Sequence, residues 1–466
     1  MRYCRCRQAG KQAVPVFISA AQWLQAGAFA LAYLLLCGLC LRVRDAQRPA
    51  AAAGATLIAY ASQGGSARKL AQRHAETLAR RGPVTLLALN QVQAADLENA
   101  HLALFIASTY GEGEPPDNAL RFARLWLRGG GQDGAALSRL HYAVLALGDS
   151  EYRQFCGFGL ALDRGLRERG ARPMFAPQTV DRLDDRALVE WQNRLLENAV
   201  LESGETVVDG AGQGARLPAT VLDRRCLNAG SPGAGVYHLR LGLPPGVDWR
   251  AGDIAVLDIP REGPEGPVQR EYSIASLPSD GALELLVRQV CKDDGSFGVG
   301  SGWLTRQLPM GGELALQVRD NPAFHPPPPE RPLILVGNGT GIAGLRAHLR
   351  ARVQVGAHAN WLLFGERTRA HDRLFDDELA AWLGSGHLQR LDRVYSRDNE
   401  PLRYVQDALA AQQQELQAWL ARGAAVFVCG SLEGMAPAVH RLLLEILGER
   451  GLEDLSLEGR YRRDVY

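Results

Sequence analysis

TLIAYASQGGSARKLAQRHAETLARRG, Thr56 to Gly82, decides the fold. TLIAYAS is an uncharged apolar run of strand length, and QGGS breaks it with two glycines. The remainder carries a helical pattern that stops at Gly82. HLALFIAS (101–108) and HYAVLALG (141–148) repeat the apolar run, and each leads into a polar, glycine-containing loop. Strands buried on both faces and alternating with helices predict a parallel, doubly wound α/β sheet over residues 55–200.

The pattern changes on the C-terminal side. Residues 201–215 (LESGETVVDGAGQGA) are glycine-rich and read as a flexible hinge. From 216 to 325 the chain offers short alternating strands between Gly/Pro turns (VYHLRLGL, DIAVLDI, ALELLVRQV, ELALQV), the pattern of a small antiparallel β-barrel. HPPPPERP then leads to a second strand–helix domain over 330–466, with PLILVGNG, NWLLFGE and AAVFVCGS as its strands. A length of 466 residues accommodates three such domains.

The N-terminal end is different in kind. Hydrophobic residues make up 46% of the chain and charged residues 22%, which excludes global disorder. A net charge of +1 argues against a nucleic-acid binder. Yet Arg2, Arg5, Arg7, Lys11, Arg42, Arg44 and Arg48 stand against Asp45 alone within residues 1–48. Between Lys11 and Arg42 there is no charge, a stretch longer than the ~30 Å hydrocarbon core at ~1.5 Å per residue. The expectation is a single transmembrane anchor, with its helix over about 14–41 and the catalytic domains on the cytoplasmic face of the inner membrane. A cleaved signal peptide and a helix docked on protein are the competing readings. Cys156, Cys226, Cys291 and Cys429 are scattered singly, so they form neither a disulfide scaffold nor a metal-binding spacing. Cys37 and Cys40 fall in the apolar run.

Three loops follow the first three buried strands. Ser62, Gln63, Gly64, Gly65 and Ser66 place hydroxyls and backbone N–H groups at a helix start, which makes a phosphate cradle. STYGEGEPPDNA projects Tyr110 from a loop containing Gly111 and Gly113, and LGDSEYRQFCGFG does the same with Tyr152 and Phe155. Loops at the carboxyl ends of adjacent parallel strands surround a ligand crevice. With these loops in order, the segment resembles a flavodoxin-like domain, and the resemblance implies FMN. Its phosphate would lie on residues 62–66, and its ring between Tyr110 and Tyr152. Ser108, Thr109, Gly111, Gly113, Leu147, Gly148, Asp149, Phe155 and Cys156 would complete the site.

REYSIAS (270–276) supplies Arg270 for a diphosphate, Tyr272 to cover a flavin and Ser273 to reach its reactive edge. GVGSGWL adds backbone donors near a helix start, with Gly298, Val299 and Ser301 as FAD contacts. GNGTGIAG (337–344) follows an apolar strand and opens a helix, the setting a dinucleotide phosphate loop needs, with Gly339 and Thr340 at its centre. Ser396 and Arg397 offer a hydroxyl and a fixed cation for a 2′-phosphate, which favours NADPH over NADH.

In this order the motifs resemble the diflavin reductases over about residues 55–466. The resemblance implies electron flow from NADPH through FAD and FMN to an external acceptor, either a protein or a small molecule. It implies that Ser273, Cys429 and Asp464 assist hydride transfer and that Tyr466 covers the FAD ring. Arg403, Tyr404, Gln406 and Cys429 would join the NADPH contacts. The acceptors it suggests are a sulfite reductase haemoprotein, a membrane redox partner or a ferric siderophore, and a non-catalytic flavoprotein module is the rival reading. Three departures stand out. The family's helical connecting domain is missing between GDIAVLDIP and REYSIAS, which are about ten residues apart. Leu402 stands where the family has lysine, leaving Arg403 as a substitute. The flavodoxin-like part, with 17 basic and 16 acidic groups, has no strongly acidic docking face.

Overall fold

A computed structural model describes residues 54–111, 113–127, 137–150, 152–208, 216–261 and 266–466. Three sheets carry the chain. The first contains β1 (Thr56–Ala61), β2 (Val84–Ala88), β3 (Leu102–Ser108), β4 (His141–Gly148), β5 (Arg172–Pro173) and β6 (Gln178–Asp181). Its order is β2-β1-β3-β4-β5, with β6 also on β4, and its pairings are parallel. The apolar runs of β1, β3 and β4 are buried on both faces, as their sequences require. The strand order reverses between β1 and β3, so a ligand crevice opens at their carboxyl ends.

The second sheet is antiparallel: β7 (Leu217–Cys226), β8 (Val236–Gly242), β9 (Ile254–Ile259), β10 (Val268–Ser273), β11 (Leu283–Arg288) and β12 (Glu313–Arg319). Its order is β10-β9-β12-β7-β8-β11, and the end strands β10 and β11 also approach one another. The sheet curls around Val221, Leu239, Leu257, Leu285 and Leu316, giving the expected barrel-like core. β9 pairs directly with β10 in a hairpin register, Ile259 opposite Val268, at the place where the insertion is missing.

The third sheet is again parallel: β13 (Leu333–Asn338), β14 (Asn360–Glu366), β15 (Arg390–Tyr395), β16 (Ala425–Gly430) and β17 (Tyr461–Val465), in the order β15-β14-β13-β16-β17. Its switch point lies between β13 and β16. There the helix after β13 approaches the neighbouring strand so closely that a Cβ on Gly341 would sit 2.1 Å from the Cys429 carbonyl oxygen, so only glycine fits.

Two expectations need correction. The transmembrane helix expected over about 14–41 lies outside the described residues, and among the described residues no helix is long and apolar enough to cross a membrane. The 23-residue C-terminal helix Met435–Leu457 has the length, but it carries Arg441, Glu445, Glu449, Arg450, Glu453 and Asp454 and breaks at Gly448. The single-pass architecture and the inner-membrane location are withdrawn on this finding. The hinge also begins later than expected. Leu201, Val207 and Val208 are buried in the core of the first sheet, so residues 201–208 pack as part of that body.

Candidate functional site

The three loops of the first sheet converge at its carboxyl end. Gly65, at φ 84°, turns the chain from β1 into the helix Ser66–Leu78. The Thr109 amide donates to the Leu147 carbonyl over 2.9 Å, which ties the second loop to the third. The second loop closes on itself through paired Tyr110–Glu114 backbone bonds, with Gly111 and Gly113 in left-handed conformations. In the third loop Cys156 is buried, and its thiol, pushed up to about 11 by burial, donates to the Ala146 carbonyl. Cys156 is a structural thiol here. Asp149 faces Arg182, Gly148 packs against Cys156, and Phe155 packs on the sheet core.

Ser62 Oγ and Thr109 Oγ1 are sealed from solvent with no hydrogen-bond partner among the described residues. Orphaned hydroxyls at the ends of adjacent strands are what an oxygen-rich ligand such as a phosphate would satisfy. The FMN residues therefore fit the group. The two aromatic rings differ from each other: Tyr152 is 37% exposed, whereas Tyr110 is 7% exposed. The Arg463 guanidinium lies 4.9 Å from the centre of the Tyr110 ring, an arrangement no local sequence signal announces.

At the barrel, Gly300 lets the Arg270 side chain cross the turn into the next helix, since a Cβ there would meet Arg270 Cγ at 2.8 Å. Tyr272, whose phenol burial pushes up to about 12, lies beside the same glycine. Gly298 begins that helix at Val299, and Ser301 Oγ accepts the Val290 amide at 3.0 Å. A cradle of glycines under a guanidinium and a phenol suits the diphosphate and ring of FAD.

Ser273, Cys429 and Asp464 arrive from β10, β16 and β17 and meet. Ser273 Oγ donates to Asp464 Oδ2 at 2.7 Å, and Cys429 Sγ is 3.8 Å from the same oxygen. Gly344 permits the approach, because a Cβ there would press on Cys429 Sγ at 3.3 Å. Burial raises the Asp464 carboxyl while the Ser273 hydroxyl lowers it, and the balance remains upward. Burial and the neighbouring Asp464 also raise Cys429, which keeps it a neutral thiol. The chain end is ordered rather than a loose tail: Tyr466 N donates to Gly430 O, and Tyr466 O accepts from Leu432 N, both at 3.0 Å.

Beside this cluster a cavity of about 710 Å³ opens at the switch point of the third sheet. Gly339, Thr340, Ser396, Arg403, Tyr404 and Gln406 line it, as does Tyr466, which is half exposed with its hydroxyl 3.5 Å from Thr340 Oγ1. Arg403 donates twice to the Ser396 carbonyl, so it takes the cationic place beside Ser396. Arg397 is exposed and does not line the cavity. Sequence reasoning missed Arg288, Arg367 and Arg441, which do. Arg367 directly follows strand β14, and its place at a carboxyl edge was a usable signal; Arg288 and Arg441 had none. A cavity of this size lined by four arginines fits a phosphorylated dinucleotide.

A buried cluster of Ser273, Cys429 and Asp464 near an arginine-lined cavity, with a phosphate-type cradle on another sheet, fits an NADPH-dependent flavoprotein oxidoreductase. Residues 58–201 match the flavodoxin family, and residues 335–441 match the oxidoreductase NAD-binding domain. Among curated proteins, the chain is 26% identical to the sulfite reductase [NADPH] flavoprotein alpha-component of Bacillus subtilis, over 91% of each chain. It is 28% identical to that of a Shewanella species, over 91% of each chain. It is 27% identical to that of Vibrio cholerae, over 90% of this chain and 89% of the relative. Together these matches support a diflavin reductase family, with FMN, FAD and NADPH as the cofactors. The alignment with the Bacillus protein runs to 554 positions, more than the 466 residues of this chain, so the relative carries a substantial segment with no counterpart here.

Proposed function

We propose that this chain passes electrons from NADPH to an external protein acceptor of the sulfite reductase haemoprotein kind. In this reading residues 55–200 hold FMN, 216–325 hold FAD and 330–466 hold NADPH. When bound, the flavins convert a two-electron hydride into single electrons. The chain's own share is holding and positioning. Ser396 and Arg403 take the 2′-phosphate, and Gly339 and Thr340 give backbone and hydroxyl donors beside it. Asp464 fixes the Ser273 hydroxyl by accepting its hydrogen bond and would keep a buried carboxyl where positive charge develops on the nicotinamide. Cys429 fills the remaining wall as an uncharged thiol, and Tyr466 stands at the mouth of the cavity.

The observation that carries this reading is the meeting of Ser273, Cys429 and Asp464 from three separate strands beside the arginine-lined cavity. The test is NADPH-driven sulfite reduction after mixing the flavin-loaded chain with a purified sulfite reductase haemoprotein. Sulfide formation that depends on both proteins supports the proposal. Rapid reduction of ferric chelates with no electron delivery to the haemoprotein would overturn the acceptor assignment.

A further inference from the structure

Ion pairs that seat the flavodoxin-like half cluster on one short stretch near the chain end, while Gly64, Gly65 and Gly111 also approach Arg319, Asp320 and Leu432. The C-terminal helix breaks at Gly448 (φ 70°, ψ 170°), and the nine residues beyond the break run beside the segment 117–127 of the first domain. Glu453 pairs with Arg124 and with Arg121, and Glu449 pairs with Arg124 at 3.7 Å. Leu452 is 4% exposed and, with Leu444 and Leu457, lines a cleft of about 190 Å³ against Pro115, Leu120 and Ala123. Six residues past the helix, Arg463 is 7% exposed and pairs with Asp117. Gln63, from the phosphate loop, donates to the Arg463 carbonyl at 2.8 Å and to Asp117 at 3.0 Å.

The charges alternate across this contact. Acidic residues of the helix meet Arg121 and Arg124, and then the basic Arg463 meets the acidic Asp117. Sliding the two bodies along each other would bring like charges together, so the pattern admits one seating. The partly exposed pairs contribute little singly, but Arg463 and Asp117 are both shielded, and each needs the other.

We propose that residues 449–463 are a docking ledge for the chain's own flavodoxin-like half. The functional consequence rests on the diflavin reading, while the seating itself is measurable without it. Undocking uncovers Tyr110, because the Arg463 guanidinium that covers its ring belongs to the ledge.

The experiment uses the full-length, flavin-loaded chain with Glu453→Arg, Arg124→Glu and the reciprocal double variant. Small-angle scattering reads compactness, and amide hydrogen exchange reads residues 117–127 and 449–457. Each single reversal should enlarge the radius of gyration and speed exchange in both segments by on the order of tenfold, and the double swap should restore both. Asp117→Asn and high salt on the unaltered chain should act in the same direction, which keeps the test open if a reversal fails to fold. Unchanged compactness and exchange in the single variants and in salt, or no recovery in the swap, would overturn the ledge. Flavin content and NADPH–ferricyanide activity separate the two ideas. Normal values with a chain insensitive to charge reversal sink the ledge alone. Absent values with the expected scattering sink the diflavin reading and leave the ledge standing.

Discussion

The molecule contains two ligand ends built by one topological rule, and they differ in access. At the third sheet, the crevice beside β13 and β16 is an open cavity of about 710 Å³ with cations already in place. At the first sheet, the crevice beside β1 and β3 is covered. Tyr110 lies under Arg463, and a Cβ on Gly65 would stand 3.4 Å from the Asp320 carbonyl of the barrel half. The difference follows from what each end handles. NADPH must enter and leave at every turnover, so its site stays open and preformed. FMN is a resident group, so its end can be covered by another part of the same chain and uncovered when an acceptor is served.

The sharpest way to break this comparison is to disable one end and watch the other. Asp464→Asn should lower the rate of NADPH-driven flavin reduction by roughly 100–1000-fold, the scale of losing one preorganised electrostatic contact. NADPH binding and FMN content should stay as in the unaltered chain, as stopped-flow absorbance and flavin release would show. A parallel fall in FMN content would mean that the two ends are not separable.

The open end also depends on a charged joint that the covered end does not use. Glu284 on β11 is 5% exposed, pairs with Arg346 at 2.6 Å and with His238 at 3.1 Å, and so ties the barrel to the third sheet. Burial pushes its carboxyl up, but His238 and Arg346 outweigh burial and hold it down at about 2 against an ordinary 4.5. A depressed carboxylate stabilises the fold at pH above its unfolded value. That contribution, about 3 kcal/mol, is lost as pH falls from about 4.5 to about 2. Glu284→Gln should therefore reduce stability at neutral pH and flatten the acid limb of a denaturation series. An acid limb identical to that of the unaltered chain would remove Glu284 from the joint.

Within the open cavity, Arg403→Ala should raise the KM for NADPH about tenfold and leave NADH use nearly unchanged, as expected for one charge-assisted phosphate contact. Arg397→Ala should have a smaller effect, because Arg397 lies off the cavity wall. The reverse ranking would return the 2′-phosphate to Arg397.

How much of this was legible beforehand depended on sequence distance. The strands and loops of both α/β sheets were readable, because apolar runs ending in glycine turns are local signals. Ser273, Cys429 and Asp464 entered through family likeness, and the fold supplied their meeting, since Ser273 and Asp464 are 191 positions apart. The cover on Tyr110 was not legible. Arg463 and Asp117 are 346 positions apart, and neither residue has a local pattern that marks a partner. The chain end was equally misleading in composition: GRYRRDVY looks like a charged tail, yet Tyr461–Val465 completes a sheet because Tyr461 and Arg463 point into protein. The long apolar N-terminal run was legible only as composition, and it lies outside the described residues.

The smallest expected effect is the most informative about the covered end. Ser62 Oγ and Thr109 Oγ1 are buried and unpartnered among the described residues while the loops around them are fully formed. A buried hydroxyl without a partner costs about 1–3 kcal/mol, so deleting it should help the protein when no ligand is bound. If these hydroxyls serve the FMN phosphate, the same deletion should hurt once the ligand is present, by one hydrogen bond to a charged group. Ser62→Ala and Thr109→Ala should therefore each raise the stability of the flavin-stripped chain by about 1 kcal/mol while weakening FMN binding about fivefold to tenfold. The opposed signs matter more than the magnitudes. Thermal denaturation of stripped protein reads the first, and FMN fluorescence quenching on titration reads the second. A purely structural hydroxyl would move both measurements in the same direction or leave binding untouched, and the covered end would then hold its ligand by other groups.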